Sequence, residues 1–187
     1  GAIFGASVGL AVFPTESRWI FPVMVVAGAF GGWLWAMIPA ILKTRFNTNE
    51  ILTSLMLVYI AQLLLDWLTR GIWKDPAGYN FPQSRSFVSE AVLPEILSSG
   101  RAHLGIVFAL IAAVAVWFMM RYTLKGFQVV VLGQSERAGR FAGFSSRKMV
   151  WFSFMLSGAL AGFVALNQVM GVQHRLVLNF VGGAGYV

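Results

Sequence analysis

The chain has 187 residues, of which 58% are apolar and 11% charged, with 14 Lys and Arg against 7 Asp and Glu for a formal charge of +7. Soluble domains carry about 45–50% apolar and about 25% charged residues, so this composition excludes a water-soluble globular enzyme as the starting expectation. Cysteine is absent, which removes disulfide frameworks, cysteine-based zinc sites and thiol catalysis from consideration.

Residues 1–13 are apolar from the first position, with no initiating Met and no basic leader ahead of them, and are expected to be part of a membrane span. Four complete apolar runs follow, at 19–42, 51–68, 104–120 and 150–170. At about 1.5 Å per residue they measure roughly 25–36 Å, enough to cross a hydrocarbon core of about 30 Å. None holds a Lys or Arg, and the single acid among them, Asp66, stands near the end of its run. The expected fold is therefore all-α, a polytopic transmembrane helix bundle forming one domain over 1–187. The Gly-rich apolar stretch at 180–187 has no polar tail, so truncation at both ends is expected.

Sidedness follows from the connections, because short cytoplasmic loops collect Lys and Arg. Segments 43–50 and 121–149 share one side and carry eight basic residues (Lys43, Arg45, Arg121, Lys125, Arg137, Arg140, Arg147, Lys148) against Glu50 and Glu136. The other side is far closer to neutral, so the first set is assigned to the cytoplasm. Trp19, Trp67 and Trp73 then fall at the outer interface and Trp117 and Trp151 at the inner one, where amphipathic indoles are enriched.

Three rows of small residues spaced by four, Gly1/Gly5/Gly9, Gly28/Gly32 and Gly158/Gly162, allow close helix approach in lipid. Two connections are too long for turns. The external one, 69–103, is rich in turn residues and is expected to include a short helix at 89–97. The cytoplasmic one, 121–149, contains Ser135 as an N-cap, Glu136 favouring a first turn and Gly143 as a terminator, which predicts a short helix outside the membrane.

No Gly-x-x-x-x-Gly-Lys-Ser/Thr run is present, so the chain is not expected to cradle ATP phosphates. His103 and His174 lack a carboxylate cluster and give no reason to expect a metal. Nucleophile-elbow and His-Glu-x-x-His patterns are missing, and no catalytic residue is assigned. The basic inner loop is explained by topology without nucleic acid. Polar groups in or beside the spans, Asn49, Gln62, Asn167 and Gln168, are the candidates for a solute path, each with the alternative of bonding only to a neighbouring helix.

Several stretches are similar to one family. Residues 38–43 (Ile-Pro-Ala-Ile-Leu-Lys) and 47–61 (Asn-Thr-Asn-Glu-Ile-Leu-Thr-Ser and onward) resemble the inner loop and following span of bacterial ABC-importer permeases for nucleosides and simple sugars. Lys74-Asp75-Pro76 with residues 79–84 resembles the external loop of that family. Residues 133–143 resemble a cytoplasmic motif shared with ribose and branched-chain amino acid permeases, and residues 157–162 followed by 171–176 complete the likeness. Where relatives have Asn-Pro this chain has Ser135-Glu136, and Arg137-Ala138-Gly139-Arg140 replaces Glu-Ala-Ala-Arg.

The resemblance implies an inner-membrane permease subunit that works by alternating access, partnered by a second permease, cytoplasmic ATPase subunits and an external solute-binding protein. ATP and Mg would then sit on the ATPase and no cofactor on this chain. It also implies a coupling role for Ser135, Glu136, Arg137, Ala138, Arg140 and Phe141, with Phe141 anchoring in a groove of the ATPase. The lack of charge in the middle of the spans favours a neutral solute, a nucleoside or simple sugar. The alternative class, an ion-coupled secondary transporter or channel, needs intramembrane ionisable residues, and Asp66 is the one on offer.

Overall fold

The computed structural model describes residues 1–12, 20–73, 84 and 104–173. Among these residues seven α-helices follow in order: α1 (Ala2–Ser7), α2 (Ile20–Phe46), α3 (Glu50–Arg70), α4 (Gly105–Tyr122), α5 (Leu124–Gln134), α6 (Glu136–Phe141) and α7 (Ser146–Gln168). A single π-helical turn extends α1 over Val8–Val12 and another extends α7 over Val169–Gln173. Four of the described helices are long and apolar enough to cross a membrane: Pro22–Phe46, Glu50–Arg70, Gly105–Tyr122 and Ser146–Gly171. They coincide with the four complete runs read from the sequence, and the all-α expectation holds. The external short helix at 89–97, His103, His174 and the run at 180–187 lie outside the described residues.

The helices run longer than the apolar stretches that announce them. α2 continues through Lys43 and Arg45 to Phe46 and α7 starts at Ser146, ahead of Arg147 and Lys148. Hydropathy detects the buried length of a span, whereas the helix persists into the interface until a cap or breaker ends it. At the α2 terminus the breaker is Asn47, in the left-handed region at φ 49°, a conformation Asn tolerates better than most residues. Asn49 then caps α3, its side chain accepting from the Ile51 amide at 3.0 Å.

The main packing event is the crossing of α2 and α7. A Cβ placed on Gly32 would fall on the Gly158 carbonyl, one on Gly162 would fall on the Gly28 carbonyl, and one on Gly158 would lie 2.6 Å from the Gly32 carbonyl. The two small-residue rows thus face each other and bring the backbones into direct contact. In lipid, where apolar side chains gain nothing by leaving the solvent, such backbone proximity is what drives association. Gly31 instead makes room for a side chain, that of Phe4 on α1, which lies across it.

Beyond this crossing, toward the outer end, a buried cluster forms from Ala2 and Ala6 of α1, Met24 of α2, Leu65 of α3, and Leu166, Val169 and Met170 at the end of α7. By contrast α3 and α4 expose most of their apolar side chains, among them Leu63, Tyr59, Leu110 and Val114.

Local propensity does not announce the α5 helix. Its sequence, LKGFQVVVLGQ, holds three consecutive β-branched residues and two glycines, all poor helix formers. Thr123 supplies the missing start signal: in extended conformation it breaks from α4, and its hydroxyl accepts from the Gly126 amide at 3.3 Å. Gly126 then lies against the backbone of Met119 and Met120, so the chain folds sharply at this point.

Candidate functional site

The basic side of the bundle, assigned to the cytoplasm from its charge, is organised around α6. Ser135, extended at φ −153°, accepts from the Ala138 amide at 3.3 Å. Glu136 is ion-paired with Arg140 at 2.7 Å, one turn later on the same face. Hydrogen bonds from Arg140 first and Ser146 second hold the Glu136 carboxyl below the usual carboxylate range. Gly139 presses on Leu132 of α5, where a Cβ would collide with that side chain. Gly143, at φ 79°, ends the helix, and its left-handed backbone is one that glycine adopts without penalty. Phe144 returns the chain to α5 by an edge contact with Phe127, ring centroids 6.1 Å apart. The predicted short helix is therefore present with its predicted start and stop.

Clamped at both ends in this way, α6 projects Phe141, which is 93% exposed. Arg137 and Arg140 share a concave patch with it. An aromatic ring this exposed, rimmed by guanidinium groups, has the composition of an interface anchor. Of the expected contact residues, Phe141, Arg137 and Arg140 stand at this patch; Arg140 is paired with Glu136, whereas Arg137 is engaged by no carboxylate among the described residues. Ser135, Glu136 and Arg140 build the helix itself.

A second set of contacts ties the inner end of α2 to the start of α7. Trp151 donates its indole N–H to Thr44 Oγ1 at 3.1 Å, and the Arg147 guanidinium reaches the Thr44 carbonyl at 3.5 Å. Lys43 bridges the α2–α3 turn to Glu50 at 2.6 Å. A cavity of about 290 Å³ between Lys43, Glu50, Leu132 and Phe154 adjoins this turn.

The four solute-path candidates are not brought together. Asn49 is at the inner end, engaged as the α3 cap, and Gln62 is exposed midway along α3. Asn167 and Gln168 are at the outer end of α7, immediately before its π-helical turn. Asn167 is 8% exposed; its amide N–H donates to the Phe163 carbonyl at 2.9 Å, while Oδ1 has no partner among the described residues. A cleft of about 280 Å³ between α2, α3 and α7, lined by Trp35, Pro39, Ser54 and Leu57 beside the glycine crossing, includes none of the four. Asp66 is held by Arg70 at 2.6 Å on the outer end of α3.

Apolar helices crossing through glycine contacts, with a capped helix standing off the basic side, define a multi-pass membrane protein. A family model described as "Branched-chain amino acid transport system / permease component" matches residues 1–186, and the chain belongs to this family of ABC-importer permeases. The expected resemblance to ABC-importer permeases is thereby borne out at the level of the family. Family and spans together make it a multi-pass inner-membrane protein.

Among curated proteins it is similar to the glucose ABC transporter permease protein TsgB13 of Haloferax volcanii, with 35% identity over 197 residues covering 100% of this chain and 51% of that protein. It is 33% identical to the guanosine ABC transporter permease protein NupP of Bacillus subtilis over 168 residues, 88% of this chain and 48% of that one. The nucleoside ABC transporter permease protein NupB of Lactococcus lactis is 25% identical over 88% of this chain and 48% of its own length. The chain thus spans about half the length of these relatives. No solved structure matches it significantly.

Proposed function

We propose that the protein is the permease subunit of an ATP-driven importer that moves a nucleoside or simple sugar inward, with ATP and Mg bound by a separate ATPase subunit, a second permease completing the path and an external solute-binding protein delivering the solute. The observation that carries this reading is the exposed Phe141 at the tip of α6, a short helix capped by Ser135 and packed through Gly139 on Leu132 of α5. A rigid element that docks on an ATPase transmits domain closure to the spans as a body movement. Ser135, Glu136 and Arg140 hold the shape, Ala138 receives the cap, and Arg137 and Phe141 make the contact.

The named solutes of TsgB13, NupP and NupB favour a sugar or nucleoside. Asn167, buried with an acceptor that has no partner among the described residues, suits a ligand that offers hydroxyl or amine donors. Ion coupling has less support, because Asp66 is already neutralised by Arg70. In the full-length permease reconstituted with its ATPase and binding protein, Phe141→Asp is expected to uncouple ATP hydrolysis from uptake or release the ATPase. Unchanged ATP-dependent uptake would overturn the docking role, and uptake following an ion gradient without ATP would overturn the importer reading.

A further inference from the structure

All ten charged residues of the cytoplasmic face, the eight basic and two acidic side chains of 43–50 and 121–149, are among the described residues. Both carboxylates are consumed, Glu50 by Lys43 and Glu136 by Arg140. Six cations are left with no carboxylate partner among the described residues: Arg45, Arg121, Lys125, Arg137, Arg147 and Lys148. Arg137 stands beside Phe141 on the helix tip and Arg147 is turned to Thr44. Arg121 and Lys125 differ in placement, because they flank the Thr123 break where α4 leaves the membrane.

That break adjoins two concavities. One, at the mouth, is lined by Trp117, Met120, Arg121 and Tyr122, with the Trp117 and Tyr122 rings in edge contact at 5.8 Å. The other is an apolar groove of about 420 Å³ that runs from Met119 and Met120 along the exposed side of α7, past Phe152 and Leu156 to Leu160 and Val164. Met120 belongs to both, and Lys125 stands over the ring of Phe152, its Nζ 5.9 Å from the centroid. Lys125, over Phe152, therefore stands at the inner end of this groove and Arg121 in the adjoining concavity, while the groove itself is lined mainly by apolar side chains, with Ser153 and Ser157 as its polar members. Trp117 and Tyr122 mark the depth of the headgroups.

We infer that the α4–α5 break and the adjoining face of α7 form a binding site for an anionic phospholipid of the inner leaflet, its phosphate between Arg121 and Lys125 and an acyl chain lying along Met120, Leu156 and Leu160. Charge complementarity selects the ligand: a zwitterionic lipid brings a compensating cation that these two residues repel, and an anionic one does not. The groove's lining selects a hydrocarbon chain over a polar solute. An acidic surface of the ATPase is disfavoured as the occupant because the cations stand at the membrane boundary, away from the tip of α6.

The experiment uses the full-length permease in mixed bilayers with spin-labelled phosphatidylglycerol or phosphatidylcholine, reading the motionally restricted fraction of each. The wild-type protein is expected to restrict phosphatidylglycerol preferentially, and Arg121→Gln with Lys125→Gln to reduce the preference by about fivefold for each charge removed. Arg45→Gln with Lys148→Gln removes the same charge elsewhere on the inner face and is expected to keep the preference. Leu160→Trp, which fills the groove, is expected to lower the restricted fraction while leaving both cations in place. Equal loss in the two charge-removing pairs would mean a diffuse surface potential and overturn the site. The absence of preference in the wild type, as when another helix of the full-length chain fills the groove, would overturn it as well.

Discussion

Trp151 of α7 donates its indole N–H to the hydroxyl of Thr44, 107 residues earlier at the inner end of α2, and the same hydroxyl donates back to the Ala40 carbonyl at 2.8 Å. Thr44 is thereby fixed in one rotamer between two helices. The bond sets the height of α7 against α2 at the membrane boundary, where a tryptophan already favours the interface. Trp151→Phe keeps an aromatic ring and removes the donor, and is expected to cost about 1 kcal/mol. Denaturation of the detergent-solubilised protein checks this; an unchanged midpoint would mean that water replaces the bond without loss.

The glycines of the chain separate into two kinds. Gly32 meets the Gly158 backbone, so Gly32→Val forces two helices apart and is expected to destabilise by about 1–3 kcal/mol or to prevent assembly. A Cβ placed on Gly133, inside α5, would meet nothing within 4 Å, and Gly133→Ala is expected to stabilise by about 0.4–1 kcal/mol through reduced freedom of the unfolded chain. Folded yield and thermal midpoint of the two variants should move in opposite directions.

Glu136 sets a pH limit on the stability of α6. Arg140 and Ser146 favour its ionised form, so its folded-state titration lies below that of the unfolded chain. The contribution is present in full above the unfolded value of about 4.3 and is lost as pH falls through the lower folded value. Hydrogen exchange at the amides of α6 should therefore show no change in Glu136-dependent protection between about pH 6 and 8, with protection falling only in acid. Glu136→Gln should remove that acid-dependent step, and its persistence in the variant would assign the step to another group.

Asn167 carries a buried acceptor with nothing to accept from among the described residues. Such an atom costs about 1–3 kcal/mol of desolvation. Asn167→Leu is expected to keep or raise stability and to lower solute uptake, the combination typical of a residue retained for function. Loss of both together would identify Asn167 as a packing residue bonded to another part of the full-length chain.

The membrane spans and α6 are legible in the sequence because their signals are local. Apolar runs, Ser135 as a cap and Gly143 as a stop each act within a few residues of themselves. The rows of Gly28/Gly32 and Gly158/Gly162 announce close approach but not to whom, since spacing carries no partner information. The Thr44–Trp151 and Lys43–Glu50 contacts are unreadable for the same reason. The α5 helix is hidden by its valines and glycines, although Thr123 ahead of Gly126 is a cap signal in plain view. Polarity alone puts Asn49 on a solute path, while its backbone position, one residue before a span, also marks it as a cap.

The glycine crossing also limits how the bundle can move. Its notches repeat once per helical turn, about 5.4 Å, and beyond them on α7 stand Phe154 on one side and Leu166 on the other. Sliding α7 along α2 by one notch would drive a bulky side chain into a gap that admits only hydrogen, so the pair is indexed like a keyed shaft. Together the two helices form a strut of fixed length. By contrast α3 and α4 meet their neighbours through side chains and have little buried surface to surrender, so they are the spans least fixed by packing.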